Sequence, residues 1–509
     1  MGLRDYTVYD FIRRNADLYP QRDCMVFAGS RTTHREFKQK CDQMAAGLLQ
    51  QGVRQGDRVG VLARNCGDYL VLYGAAARIG AIVLPVNWRF QSEEVAYVLN
   101  DGAPSVVFAG PEFQQTLVDI RPELEFDAAF FAIGGDPALE GFSAFDSLCR
   151  SEEGLPEFAV DGNSGFVIIH TAAVEAKPRG ALLSQSNIVS INLQIMLDHC
   201  LGPESGHMCI LPLFHIAGLA HAMANMHAGG KNVIMERFDP EKTLKLIEAE
   251  KGTTFYNFSP ILKRLIETCD ELGGKVDLSS LHHIDGMDHR ENLERFREIA
   301  PNVQFSSGFG QTEAMQVSWS RWEERPGSAG KPTTVSRVAL FDEDDKPVPI
   351  GETGEICVRG PTVFLGYWKR EADTAYTFRS DWHHTGDMAR FDEDGYLWYV
   401  KRKAEKELIK PGGENVYPAE VEKVIREHPA VSEVSVIGVS DRQWGEAIKA
   451  VCVLQPGEKL DEQELIDFVA GKIARFKKPR FVVFVDSLPK TGDGSIDRDT
   501  VKKEHGGKY

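Results

Sequence analysis

Residues 381–422 hold the most chemically pointed spacing in the chain. Thr385-Gly386-Asp387 places a carboxylate on a tight turn, where it could hold the two hydroxyls of a ribose. Asp394-Gly395 is a hairpin signal ahead of an apolar strand over 396–400. The charged run 401–407 has no apolar face long enough for a core and reads as an exposed connector. Gly412-Gly413-Glu414-Asn415 then makes a backbone-rich turn into Pro418-Ala419-Glu420, a helix start with proline in its first turn. Nucleoside holder, connector and glycine loop in one line place the joint of a two-domain enzyme here.

Thr385-Gly386-Asp387, Arg402 shortly after it, and Gly412-Gly413-Glu414-Asn415-Val416-Tyr417-Pro418-Ala419-Glu420-Val421-Glu422 resemble the adenylate-forming superfamily. That superfamily includes acyl-CoA synthetases, aryl-CoA ligases, luciferases and the adenylation domains of peptide synthetases. The resemblance runs from about residue 5 to 500 and recurs in separate motifs. It implies an α/β fold: a large N-terminal domain of mixed and parallel sheets flanked by helices, a β-rich subdomain, and a small mobile C-terminal α/β lid. The domains it implies are 1–402 and 403–509, with a hinge near 401–407. Aligning back from Leu408-Ile409 puts the hinge residue at Lys406.

The resemblance also distributes roles. In Gly308-Phe309-Gly310-Gln311-Thr312-Glu313 the aromatic, usually Tyr and here Phe309, would stack on adenine. Thr312 would bind the α-phosphate and Glu313 would hold Mg²⁺; a hydroxyl donor and a hard carboxylate suit those partners. Asp285-Gly286-Met287-Asp288 falls at the turn against the adenine, although its residues differ from the family's small ones. Asp387 would hold the ribose, and Arg402 would face ribose and phosphate. His215, in Leu211-Pro212-Leu213-Phe214-His215-Ile216-Ala217-Gly218, would border the acyl pocket and the CoA tunnel. On residue type alone, a histidine after an apolar run is more often a core residue. His215, Thr312, Glu313 and Gly413 form the implied catalytic set. Gly412, Gly413, Glu414, Arg442, Trp444 and Lys477 form the implied CoA-binding set.

Two positions depart from the family pattern. After a strand over 166–170, relatives carry a Ser-, Thr- and Gly-rich loop that wraps the β- and γ-phosphates of ATP with backbone N–H groups. Here Thr171, Pro178 and Gly180 remain, but Ala172, Ala173, Val174, Glu175 and Ala176 replace the hydroxyls and glycines, and Arg179 replaces a lysine. Glu175 adds negative charge beside a triphosphate; Arg179 keeps the charge but not the shape. Either the loop works through its backbone, or it no longer grips a triphosphate. At the other end of the chain, Ser495 stands where relatives have the lysine that bridges acyl carboxylate and α-phosphate during adenylation. A hydroxyl supplies no such charge.

Both losses fall on the first half of the family's reaction, acid plus ATP giving acyl-AMP. The residues kept serve the adenylate or the later attack by the CoA thiol. The sequence therefore points to an acyl-CoA ligase that forms a thioester from an acyl-adenylate and CoA, with adenylation weak or absent and an adenylating partner enzyme supplying the intermediate. A complete synthetase using carboxylic acid, ATP and Mg²⁺, with Arg179, Lys490 or Arg498 substituting, is the alternative. A silent binder of acyl-AMP or CoA is a third reading, against which Glu313 and the glycine loop count.

Bulk properties bound these readings. A chain of 509 residues is too long for one core. The net charge of -17 disfavours nucleic acid and anionic membrane as partners. Nine scattered cysteines without paired spacing argue for a reducing compartment and against a disulfide framework. The first residues lack an apolar signal core, and no apolar run is long enough for a membrane span, so a soluble cytoplasmic enzyme is expected. Periodicity predicts strands over 57–62, 81–85 and 105–108, with a helix over 68–78 between the first two. It also predicts a helix capped by Asp239 through Ile247, lid strands over 434–439 and 450–454, and a lid helix over 461–473. No motif specifies the acyl group or an oligomeric state.

Overall fold

The structure, a computed structural model, describes residues 5–151, 155–171, 178–403, 408–412, 414–441, 444–491 and 495–507. Short apolar runs become buried strands. Arg58–Leu62, Ile82–Pro85, Val106–Ala109 and Ala129–Ala132 run parallel in a seven-stranded sheet. That sheet continues through Gly165–Thr171 to its antiparallel neighbour Arg179–Ser184 and the edge strand Gly366–Tyr367. Its central strands lack polar alternation because both faces are covered. The helix expected over 68–78 is Gly67–Ile79, and it stops where Gly80 turns left-handed at φ 71°.

A nine-stranded sheet runs from Lys331–Pro332 at one edge through Gln304–Gln311, His283–Met287 and Thr254–Phe258 to Asp23–Phe27 and Ser30–Thr33. Side chains of both sheets share one core with the helices Val8–Leu18, His34–Gln50, Gly67–Ile79, Gln185–His199 and Ile216–His227. The Asp239 cap is present: its carboxylate accepts from Lys242 N–H, and the helix Pro240–Glu250 follows. A four-stranded antiparallel sheet of Arg337–Phe341, Gly354–Arg359, His383–Phe391 and Leu397–Arg402 has a core of its own around Leu340, Ile356 and Leu397. The Asp394-Gly395 hairpin joins its last two strands, with Gly395 at φ 81°.

The C-terminal part is a three-stranded sheet, Val431–Asp441, Gly445–Leu454 and Phe481–Phe484, with helices Pro418–Arg426, Glu462–Ala470 and Arg498–His505. Its core is again separate, built on Val421, Ile425, Val436 and Leu465. Both long strands extend past their expected ends, because Glu446 and Lys449 are polar positions within a paired ladder. The connector differs more. Lys401 and Arg402 are not a loop but pair with Met388 and Asp387, so the ladder runs to the point where the charged run was expected to be exposed. Among the described residues no helix is long and apolar enough to cross a membrane.

Candidate active site

Gln304–Gln311 and Ala314–Arg321 form an antiparallel hairpin whose turn is Thr312-Glu313. A side chain at position 308 would put its Cβ 2.1 Å from the Ser318 carbonyl oxygen, so the close approach of these two strands requires glycine there. The hairpin buries Glu313, whose Oε1 accepts hydrogen bonds from the Tyr367 hydroxyl at 2.9 Å and the Thr171 hydroxyl at 3.3 Å. Three distant segments thus converge on one carboxylate. Arg179 lies over the Tyr367 ring, 4.2 Å from its centroid, with Asp373 3.5 Å away. Burial works against the Arg179 charge, but Tyr367, Glu313 and Asp373 outweigh it and raise its pKa.

Asp387 is fully buried, and Arg402 grips it with two bonds, Nε at 2.8 Å and Nη2 at 3.0 Å, while the Tyr399 hydroxyl donates at 3.2 Å. Behind it Glu355 accepts the Gly386 backbone N–H at 2.8 Å and faces His384 and Lys403 at 2.9 Å each. Gln311 contacts His383 at 2.8 Å. Phe309 is half-buried and packs against the core of the four-stranded sheet.

His215 caps the helix Ile216–His227, its Nδ1 accepting from Ala217 N–H at 3.2 Å. Burial lowers its pKa, which agrees with a neutral ring carrying its proton on Nε2. His215 separates two cavities. The inner one is lined by Thr171, Thr312, Phe214, Glu414 and Asn415. The outer one, about 280 Å³, is lined by Trp88, Arg89, Phe258, Arg264, Gly412 and Trp444. Glu414 belongs to both linings and forms an ion pair with Arg89, whose guanidinium lies over Trp88 at 4.7 Å. Gly412 takes φ 59°, its N–H donates to the Trp444 carbonyl at 3.0 Å, and a Cβ there would stand 2.9 Å from the indole.

Several expected site residues sit elsewhere. Asp285 sends its carboxylate inward, accepting from Ser306 Oγ at 2.8 Å and the Gly286 N–H at 2.9 Å, so its side chain is taken up in the core and not offered to adenine. Gly286 follows at φ 128°, with only 1.9 Å between a would-be Cβ and Asn257 O. Lys477 is not on a solvated rim: it is buried, 2.6 Å from Glu94 of the large part and 2.8 Å from Glu420 of the small one. Ser495 is exposed on a hairpin, its hydroxyl 2.6 Å from that of Thr491. Glu175, Lys406, Gly413 and Arg442 lie outside the described residues. Arg89 and Tyr367 were missed by sequence reasoning. Gly366-Tyr367-Trp368 is visible in the sequence, but nothing local connects Tyr367 to Glu313, 54 positions away, or Arg89 to Glu414, 325 away.

Comparison with known proteins agrees with this geometry. The profile of the AMP-binding enzyme family matches residues 12–368, and that of the AMP-binding enzyme C-terminal domain matches 420–495. An indoleacetate–CoA ligase of Aromatoleum aromaticum is 33% identical, with 97% of each chain covered. A feruloyl-CoA synthase of an Amycolatopsis species is 31% identical over 97% of this chain and 98% of its own. Among solved structures, a putative long-chain-fatty-acid CoA ligase of Rhodopseudomonas palustris is 40% identical, covering 79% of this chain and 100% of that one, with TM-score 0.73. The anthranilate CoA ligase AuaEII in complex with anthranoyl-AMP is 26% identical, covering 98% and 97%, with TM-score 0.74. With the two family profiles matching the large and small parts in turn, the protein belongs to the AMP-binding family of adenylate-forming enzymes and is an acid–thiol ligase of the acyl-CoA synthetase type.

Proposed function

We propose that the protein is an acyl-CoA ligase that serves the thioester half-reaction best: it joins the acyl group of an acyl-adenylate to CoA, with adenylation from ATP weak or absent. The observation carrying this reading is the seat of the glycine loop. Gly412 and Glu414 line the cavities on either side of His215, with Glu414 paired to Arg89. Ser495 is at the same time exposed. In the step itself the CoA sulfur forms a bond to the acyl carbon, the bond from that carbon to the phosphate oxygen breaks, AMP leaves with its electron pair, and the thiol proton passes to the departing AMP phosphate. Asp387 and Arg402 hold the ribose and phosphate side, and Thr312 donates to the α-phosphate. Neutral His215 and the loop close the acyl carbonyl off from water. The outer cavity guides the thiol, with Trp444 and, beyond the described residues, Arg442 on the CoA side.

On this reading the chain divides into body and lid between 402 and 403, with a hinge near 401–407; the separate cores of the two parts support that division. The Glu313 carboxylate, with Thr171 and Thr312 hydroxyls at hand, suits Mg²⁺, which binds through one or two carboxylates plus substrate phosphates. Bound there, Mg²⁺ would neutralise phosphate charge. Arg179 supports the second reading, a complete ATP-dependent synthetase, because it keeps one positive charge 4.2 Å from the centre of the Tyr367 ring, beside Glu313. On the first reading a separate adenylating enzyme supplies the acyl-AMP.

A split assay decides between them. One tube holds carboxylic acid, ATP and Mg²⁺ and is read for pyrophosphate; the other holds preformed acyl-AMP and CoA and is read for thioester. Indoleacetate and ferulate, named for two relatives, head the panel of acids. Thioester without pyrophosphate supports the half-reaction enzyme, and brisk pyrophosphate release sinks it.

A further inference from the structure

Asp285 belongs to a polar cluster that this reaction does not use. His199 ends the helix Gln185–His199, His221 lies within Ile216–His227, and Asp285 lies on His283–Met287. All three side chains are 5% exposed or less. His199 Nε2 stands 3.3 Å and His221 Nε2 3.7 Å from Asp285 Oδ2, and the three atoms lie within 4.8 Å of one another.

The hydrogen bonds around the cluster fix where its lone pairs point. Asp285 Oδ1 is occupied by Ser306 Oγ and the Gly286 N–H, which leaves Oδ2 for the histidines. His221 Nδ1 lies 2.8 Å from the Ala217 carbonyl oxygen. A carbonyl only accepts, so Nδ1 carries the proton and a neutral His221 aims the Nε2 lone pair toward Oδ2. Neither the Nε2 of His199 nor that of His221 has a hydrogen-bond partner. A carboxylate oxygen facing the His221 lone pair and the unpartnered His199 Nε2 in a dry interior is an arrangement that a cation between them satisfies.

We propose that His199 Nε2, His221 Nε2 and Asp285 Oδ2 form a structural binding site for a divalent transition-metal ion, zinc by preference. The Nε2–Oδ2 spacings, 3.3 and 3.7 Å, start at the edge of about 3.3 Å expected for tetrahedral ligands at zinc. The donor set of two imidazoles and a carboxylate suits zinc and not Mg²⁺ or Ca²⁺. The Ala217 carbonyl plays the outer part typical of a metal-bound histidine, holding the ring's other N–H. His283 stacks on His199 at 4.0 Å and bonds Ser306 at 2.8 Å, so it supports the ligands from outside. Three protein ligands leave a fourth position, next to the Tyr256 ring, whose centroid is 4.5 Å from that of His221. The other such cluster among the described residues, Glu355, Cys357 and His384, is a poorer candidate. There Lys403 at 2.9 Å and Arg379 at 3.1 Å already neutralise Glu355. The ion ties a helix end, the helix capped by His215 and the strand leading to Gly286 into one support behind the active site.

Elemental analysis of the whole chain tests this. Protein made in zinc-supplemented medium and dialysed against EDTA is expected to keep about one zinc per chain, because the site is sealed. His199→Gln and His221→Gln are expected to hold less than about a tenth of that, while His207→Gln keeps it. Because those variants could misfold, wild-type protein is also unfolded with chelator and refolded with or without zinc or cobalt(II). Zinc is expected to raise the melting temperature, and one equivalent of cobalt to give visible d–d absorption. Wild-type protein refolded with zinc that holds less than about a tenth of an equivalent overturns the site and assigns a shared proton to the cluster. A zinc that survives both substitutions overturns it equally.

Discussion

The Arg402 guanidinium holds the Asp387 carboxylate in a two-pronged grip, 2.8 and 3.0 Å, across neighbouring strands of one sheet. The acid proposed to meet the ribose is therefore positioned before any nucleotide arrives. Asp387→Asn leaves Arg402 charged and half-matched in a buried place. The expected cost is about 3–5 kcal/mol of folding stability by urea titration. AMP affinity by calorimetry is expected to fall at least about tenfold.

Arg89→Ala removes the body's hold on Glu414. Thioester formation from acyl-AMP and CoA is expected to slow by roughly tenfold, with the dissociation constant of acyl-AMP unchanged. A single-turnover assay separates the two quantities; equal losses in both contradict a role confined to seating the loop.

Ser495→Lys restores the missing positive charge. Pyrophosphate release from acid and ATP is expected to rise by about 100-fold, while the thioester step from preformed acyl-AMP stays at the wild-type rate. An unchanged pyrophosphate rate would point to the loop around Arg179 as the dominant lesion.

Glu355 gives the fold its acid sensitivity near the site. Burial opposes its charge, but hydrogen bonds from His384 and Lys403 outweigh it and hold the pKa well below the usual 4.5. A depressed folded pKa means stability that is full above the unfolded value and is lost as pH falls from there through the folded one. Glu355→Gln is expected to cost about 3 kcal/mol at neutral pH and to flatten the decline in stability below pH 4.5. Urea midpoints taken across that range show whether the slope changes.

Local chemistry made much of this fold legible. The Gly67–Ile79 helix, the Asp239 cap and the Asp394-Gly395 hairpin all follow from neighbours within a few positions. The family motifs singled out Glu313 and Asp387 as candidates for the same reason: each comes with its own short, unusual spacing. What stayed hidden depends on contacts between distant segments. Tyr367 reaches Glu313 from 54 residues away and Glu414 reaches Arg89 from 325, with no periodic signal linking either pair. Lys477 illustrates the opposite error. Its motif placed it in the CoA-binding set, and only the packing of two parts shows it buried between Glu94 and Glu420.

That last arrangement has a kinetic meaning. Lys477 keeps Glu420 at 2.8 Å on its own side of the divide and meets Glu94 at 2.6 Å across it. Glu94 in turn caps its own helix by accepting the Gln91 N–H at 2.9 Å. Were the two parts to separate, no ion would be left buried and alone: Lys477 would depart with Glu420, and Glu94 would return to water as a helix cap. The contact behaves as a self-resetting catch. It holds the two parts together here, and on release only Glu94 would be left without a cation, on a surface where water can take over.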